Sequence, residues 1–312
     1  MAQRRSVAIT ERLLISCVTL WLPCVFYKVN VLLSPYCYLE EIMLSNISRW
    51  LTYLCAFLYG IVGVFLFFLP EQLAPVFAWK VTAFMTMTIG GWCLGNAWLA
   101  YIAARRWKWE LVYTPLIYLW LFGIGELTVL FFFRDKLKLD HPIAWLYFAT
   151  LIINALTALV GIVDYLRIRP SNTLAGPTIT KTQRILAVGF VIFVGFLGLY
   201  GLNAQIGAPG TNAGIFPEIM SLFTLRSFGV FYFSLAVAVV PYFWDKSLKA
   251  ILTHSIASYG LVIFITVAAF VYIGIFDFVE RPGGILYFAA YLAVGIPLLF
   301  TFRKYGTGVT RS

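Results

Sequence analysis

Charged residues are scarce in this sequence. Asp, Glu, Lys and Arg make up 12% of the 312 residues, whereas 62% are hydrophobic; an ordinary soluble domain is about 25% charged. One soluble core of this size cannot enclose so much apolar surface. The composition therefore excludes a soluble globular protein and indicates a protein whose surface is solvated by lipid.

The sequence also lacks the residue patterns on which most enzyme chemistry depends. It has no Gly-rich phosphate-binding loop ending in Lys-Ser or Lys-Thr, no nucleophile elbow, no paired Asp cluster and no His-rich metal motif. The five cysteines form no close pair of the metal-ligand or redox type: Cys17, Cys24, Cys37, Cys55 and Cys93. We therefore predict a protein that is not an enzyme, has no metal site and requires no particular cofactor.

Long apolar runs dominate what is present. A transmembrane helix needs about 20 mostly apolar residues. Eight runs meet or approach that length, at 50–69, 81–103, 111–133, 143–165, 185–202, 227–244, 251–276 and 285–302. Because these runs are apolar on every side, they predict helices rather than the alternating strands of a membrane barrel.

A ninth apolar run, 13–33, is interrupted by Pro23, Lys28 and Asn30 in its second half. It can be read as a ninth span, a re-entrant hairpin or a helix lying at the membrane interface, and we favour a span. It has no small-residue cleavage site that would indicate a signal peptide.

Three landmarks recur in the same order along the chain, displaced by 135 residues from Arg49 to Arg184 and by 147 from Pro70 to Pro217. They are an Arg followed by two glycines at identical spacing (Gly60 and Gly63, Gly195 and Gly198), a Pro-Glu pair, and a Pro followed by Leu-Tyr-Phe-Ala at 146 and 286. This repetition predicts an all-α integral membrane protein of two tandem four-helix modules. Four spans each make the modules parallel, related by a pseudo-twofold axis along the membrane normal.

The predicted organisation is an N-terminal hydrophobic segment at 1–42, a first module at 43–166, a cytoplasmic linker at 167–183 and a second module at 184–312. Basic residues number thirteen on the linker side and six on the other, the six being Lys80, Arg134, Lys136, Lys138, Arg226 and Arg281. The positive-inside rule then predicts a cytoplasmic C-terminus in a bacterial-type cytoplasmic membrane. The net charge of +10 is dispersed over short connections, so we predict no nucleic-acid partner.

Glu126 is the main chemical anomaly, because it lies well inside an apolar run. A carboxyl group at this depth is costly and is a functional candidate by default. It could handle a proton or ligand, or it could be a neutral carboxyl bonded to a neighbouring helix or to a partner subunit. Asn96 and Asn154 are its candidate polar neighbours. The second module places an apolar residue, near Ala268, at the matching point.

Two further sets of residues could bind ligands at the membrane interface. The run Arg105-Arg106-Trp107-Lys108-Trp109 alternates basic and indole side chains, which predicts contact with anionic lipid headgroups. His141 and His254 could each ligate a pigment or haem, but they fall near opposite membrane faces and cannot sandwich one haem. We expect both to be interfacial polar residues.

Three function classes follow from these features. The first is a non-catalytic subunit or scaffold of a larger membrane complex, such as one for electron transfer or light capture, whose helices pack against lipid, quinone, pigment and other integral subunits. The second is a transporter or channel for a small solute, with Glu126 as its proton or cation site. An enzyme acting on lipid is the third and weakest.

Overall fold

A computed structural model describes residues 43–170, 177–205, 220–279 and 282–305. The 13–33 run, Cys17, Cys24 and Cys37 lie outside the described residues. Eight long helices form the described part: α1 Asn46–Phe68, α2 Ala83–Arg106, α3 Trp109–Phe132, α4 Pro142–Ile168, α5 Lys181–Asn203, α6 Leu222–Val239, α7 Leu248–Val271 and α8 Gly283–Tyr305. They all belong to one compact unit.

Seven of these helices are long and apolar enough to cross a membrane, which confirms the predicted all-α polytopic membrane fold. The remaining helix, α2, is as long as α3 but more polar, with Thr86, Thr88 and Asn96 fully buried. It packs along both α1 and α7. The most polar helix thus lies in the interior, where its polar groups are shielded from lipid.

Hydroxyl side chains fix where several helices begin. Ser45, Thr82, Thr180, Ser221 and Ser247 each accept a hydrogen bond from a backbone N–H of the first turn, which satisfies one of the unpaired donors of a helix start. Helix α6 therefore begins at Leu222, five residues before the apolar run from which it was predicted. An apolar run marks the membrane-embedded part of a helix, whereas an N-cap residue marks where the helix begins.

The crossing of α1 with α2 recurs in the crossing of α5 with α6. A Cβ placed on Gly63 would lie 2.7 Å from the backbone nitrogen of Leu94, and one on Gly198 would lie 2.6 Å from that of Phe233. At these distances a methyl group does not fit, so each glycine permits backbones to touch. The residue number increases by 135 from Gly63 to Gly198, and by 139 from Leu94 to Phe233.

The same displacements relate the contacts made from the other side. A Cβ on Gly90 would lie 2.5 Å from the backbone nitrogen of Phe67, and one on Gly229 would lie 2.6 Å from that of Leu202. The cap at Ser45 corresponds to that at Thr180, and the cap at Thr82 to that at Ser221. Helices α1 to α4 therefore correspond in order to α5 to α8.

The two sets of four helices meet along a seam, defined here as the contact of α2 and α3 with α6 and α7. Helix α2 packs on α7, and α3 packs on α6. Because α2 corresponds to α6 and α3 corresponds to α7, these two contacts are equivalent to each other. Gly91 lies against Phe264, and Gly125 lies against Val230 at the corresponding place. The displacement of 139 residues puts Ile265, rather than Ala268, at the position equivalent to Glu126.

The two sets differ at their outer helices. Helix α4 packs on both α1 and α3, whereas α8 packs mainly on α7 and makes at most a marginal contact with α5. Only 11% of the most apolar stretch of α8 is buried, against 44% for α4. The second set is therefore more open on its outer side than the first.

Candidate functional site

Glu126 lies on α3 at the seam and is 0% exposed. It is six residues before the end of α3, which places it about 9 Å from that end of the helix. The neighbouring glycines on α3 leave no room for other side chains: a Cβ on Gly123 would lie 2.5 Å from Asn154, and one on Gly125 would lie 2.5 Å from Val230. These glycines enclose the carboxyl group between tightly packed helices.

Neither carboxyl oxygen of Glu126 has a hydrogen-bond or ion-pair partner among the described residues. Ser227 on α6 is the hydroxyl beside the carboxyl group, but its Oγ also lacks a hydrogen bond within the described part of the chain. The site thus combines an acid from the first set of helices with a hydroxyl from the second. A buried polar group without a partner is rare in proteins and needs an explanation.

Other buried polar atoms around Glu126 have unused hydrogen-bonding capacity. Tyr147 lies within electrostatic range of the carboxyl group, and its hydroxyl has no partner in the described ranges. The indole nitrogen of Trp92 is also without one there. Trp92 lies across the seam, with its ring stacked at 4.7 Å on Phe231. Atoms that could form a further hydrogen bond therefore occur at several positions around the seam.

The two predicted neighbours of Glu126 bond to tyrosines instead. Asn96 Oδ1 accepts a 2.8 Å hydrogen bond from Tyr118, and Asn154 Nδ2 donates one of 2.8 Å to Tyr59. Asn96 Nδ2 and Asn154 Oδ1 have no further partner among the described residues. Both asparagines are fully buried, but neither forms a hydrogen bond to Glu126.

An aromatic layer covers the end of the seam nearest Glu126. Trp79, in the connection before α2, stacks on Phe223 at 4.4 Å, and Phe223 stacks on Phe133 at 5.2 Å. Trp79 also contacts the Tyr147 ring at 5.7 Å and donates a 3.2 Å hydrogen bond to Thr224. Trp79 could not be singled out from the sequence, because a Trp in a short connection between membrane helices is usually placed at the lipid headgroups.

The two histidines lie at opposite ends of the helices. His141 is exposed and immediately precedes α4. His254 is near the start of α7, only 6% exposed, with its ring 5.9 Å from that of Tyr242. The His254 side chain is therefore enclosed by protein rather than exposed at the surface. It lines a small cavity inside the second set of helices, together with Tyr232 and Tyr291.

The Arg105–Trp109 segment joins α2 to α3, and its charged and indole side chains separate. Arg105 is exposed, and Arg106 and Lys108 are partly exposed. Trp107 and Trp109 are each only 4% exposed. Trp107 donates to the backbone oxygen of Leu44 at 3.0 Å. We expected both indoles to face lipid headgroups, but tertiary packing turns them inward.

No group of three or more His, Cys, Asp or Glu side chains that could hold a metal ion occurs within the described ranges. Cys55 and Cys93 are buried free thiols. The one buried carboxyl group of the seam within the described ranges is Glu126, and a carboxyl group can bind or release a proton. Comparison with protein-family models, curated proteins and solved structures found no similar protein.

Proposed function

We propose that the protein is a proton-coupled transporter of a small solute, in which Glu126 takes up and releases the proton. One observation carries this proposal: a fully buried carboxyl group without a partner among the described residues lies on the seam between two sets of helices. In transporters built from repeats, substrate and coupling-ion sites lie at the repeat interface.

The main structural roles for Glu126 fit the geometry less well. A carboxyl group that grips a partner subunit must reach the outer surface, but Glu126 is 0% exposed. A carboxyl group that fastens two helices must hold one of them by a well-formed hydrogen bond, but the Ser227 hydroxyl beside Glu126 does not reach hydrogen-bond geometry. Proton binding accounts for both facts, because a neutral carboxyl group tolerates this burial better than an ionised one.

The mechanism follows from the position of the site. With the aromatic layer of Trp79, Phe223 and Phe133 closed, no water reaches Glu126 and we expect the carboxyl group to keep its proton. Rocking of the two sets of helices about the seam would open one end to water. The carboxyl group could then ionise, because water and the Ser227 and Tyr147 hydroxyls would stabilise its charge.

The test is proton-coupled flux into proteoliposomes that contain a pH-sensitive dye, measured over a panel of small amino acids, sugars and inorganic ions. We expect at least one solute to drive proton movement by the native protein and none to do so with Glu126→Gln, which cannot release a proton. Glu110→Gln is the matched control, since Glu110 lies in the first turn of α3, at the end of the helix far from Glu126. Flux unchanged by Glu126→Gln would overturn the proposal.

A second candidate is a subunit or scaffold of a larger membrane complex. The exposed apolar side chains of α8 favour it: Ile285 is 55% exposed, Ile296 51% and Phe300 62%. Such a face fits either lipid or the helices of another integral subunit. Extraction of the native membrane in mild detergent, followed by a native gel, mass spectrometry and an absorbance spectrum, tests it. Stoichiometric migration with redox or pigment subunits would support this candidate, and migration alone would count against it.

A further inference from the structure

An apolar groove of about 770 Å³ runs along the outer surface between α1, α2 and α7, and Phe302 of α8 also lines it. Ala56, Ala97 and Gly260 line it with small side chains, which leaves space between the larger residues. Its walls face outward, since Phe57 is 63% exposed and Ile263 42% exposed. A groove of this size is within the range of small-molecule binding sites, and it opens toward the hydrocarbon of the membrane.

The groove has a cationic end. Arg105 is exposed and donates a 3.3 Å hydrogen bond to the hydroxyl of Tyr101, which lines the groove. The guanidinium carbon of Arg49 lies 5.9 Å from the ring centre of Tyr53, which also lines it. The Arg49 Nε donates to the backbone oxygen of Ala104 at 2.8 Å, which fixes the side chain.

Neither Arg49 nor Arg105 has an ion-pair partner among the described residues. Both lie at the ends of their helices, Arg49 in the first turn of α1 and Arg105 in the last turn of α2. Along α2 the lining residues extend from Leu94 to Tyr101, which corresponds to about 10 Å. The groove therefore begins near two unpaired cations at the membrane surface and extends into the hydrocarbon.

The second set of helices does not repeat this combination. The displacements that relate the two sets put Val188 at the position of Tyr53, Val240 at that of Tyr101 and Trp244 at that of Arg105. Only Arg49 has its counterpart, Arg184. The tyrosines and Arg105 are therefore not part of the common scaffold of the repeat, and the site belongs to one face of the molecule.

We propose that this groove binds one anionic phospholipid, with an acyl chain against Ala56, Ala97 and Gly260 and the phosphate between Arg49 and Arg105. The match is one of charge and shape: the cationic end takes the headgroup and the apolar length takes the chain. Basic residues at the membrane surface attract anionic lipids in this way, and guanidinium groups bind phosphate oxygens well. The proposal is independent of the role of Glu126.

The test is native mass spectrometry of the full chain in a neutral detergent, with phosphatidylglycerol and phosphatidylcholine of the same acyl chains added in turn. We expect one retained phosphatidylglycerol and weaker retention of phosphatidylcholine. Each of Arg49→Gln and Arg105→Gln should weaken phosphatidylglycerol binding about fivefold. Arg134→Gln, which removes an equal charge at the other end of the helices, should leave binding unchanged. Equal effects of all three variants would show non-specific attraction and overturn the proposal.

Inorganic phosphate and a groove-filling variant separate the contributions of headgroup and chain. Phosphate alone should not raise the unfolding temperature, whereas phosphatidylglycerol should, because the chain contributes to binding. Ile263→Trp, at a groove wall, should abolish specific retention of phosphatidylglycerol. Ile285→Trp, at an exposed position of α8 outside the groove, should retain it. Unchanged retention in Ile263→Trp, or stabilisation by phosphate alone, would refute an acyl-chain site.

Discussion

At the scale of single residues, the two buried acids of the described region have opposite surroundings. Asp164, at the end of α4, accepts hydrogen bonds from the backbone and hydroxyl of Ser45 and from the hydroxyl of Ser48. It thereby fastens the start of α1 to α4. Glu126 has no such bonds among the described residues. Leaving a buried polar group unsatisfied costs about 1–3 kcal/mol, so Asp164 stabilises the fold whereas Glu126 does not.

Replacement of Glu126 by Leu should therefore raise the free energy of unfolding by about 1–3 kcal/mol, because an unpartnered carboxyl group becomes an apolar side chain of similar size. Asp164→Leu should lower it by a comparable amount, because the Ser45 and Ser48 donors lose their acceptor. Thermal unfolding in detergent measures both changes. A loss of stability in Glu126→Leu would mean that the carboxyl group has a structural partner.

At the scale of helices, the close crossings depend on glycines on both sides of each contact. Gly90 of α2 touches the backbone of α1, and Gly229 of α6 touches that of α5. Helices that cross this closely gain van der Waals contact along their length, which is the main source of helix association in membranes. The exchange of a hydrogen atom for a methyl group is enough to separate them.

Gly90→Ala and Gly229→Ala should each lower the free energy of unfolding by about 1–3 kcal/mol, the usual range for overpacking. Gly189→Ala is the control, since a Cβ at Gly189 on α5 would have no neighbour within 4 Å. It should be neutral or stabilising by up to about 1 kcal/mol, because Ala favours helix more than Gly does. Equal losses in all three variants would show that the close crossings do not determine stability.

How far the sequence predicts the molecule also depends on scale. The eight helices could be predicted, because each coincides with a run that approaches the apolar length needed to cross a bilayer, although α2 is more polar than the other seven. Glu126 could be singled out for the same reason, by its cost in an apolar run. Its contacts could not be predicted, since Ser227 is distant in sequence and packing alone brings it to the site. The inward orientation of Trp107 and Trp109 depends likewise on tertiary contacts that periodicity does not encode.

For the whole molecule, the proposed mechanism requires the two sets of helices to move against each other at the seam. A Cβ built on Gly125 would lie 3.5 Å from the Cβ of Val230 across the seam. This separation suits a disulfide, in which Cβ atoms are about 3.5–4.5 Å apart. Within the first set, a Cβ on Gly60 would lie 3.8 Å from that of Ala97.

With all five native cysteines replaced by Ala, the pair Gly125→Cys and Val230→Cys should form a disulfide on oxidation and stop proton-coupled flux, because it locks the seam. The pair Gly60→Cys and Ala97→Cys should also form a disulfide but leave flux intact, since it joins helices of the same set. Flux in proteoliposomes before and after reduction makes the measurement. Undiminished flux through a fully cross-linked seam would exclude rocking as the mechanism.

The single occurrence of Glu126 sets a stoichiometry. In a homodimer of one four-helix unit, every residue is present twice, so such a dimer would carry two copies of this acid. Here the repeat is contained within one chain, and the position equivalent to Glu126 holds Ile265. The two halves of the chain can therefore carry different residues at equivalent positions. A cycle that depends on this acid moves one proton for each chain, and the two directions of transport need not be equivalent.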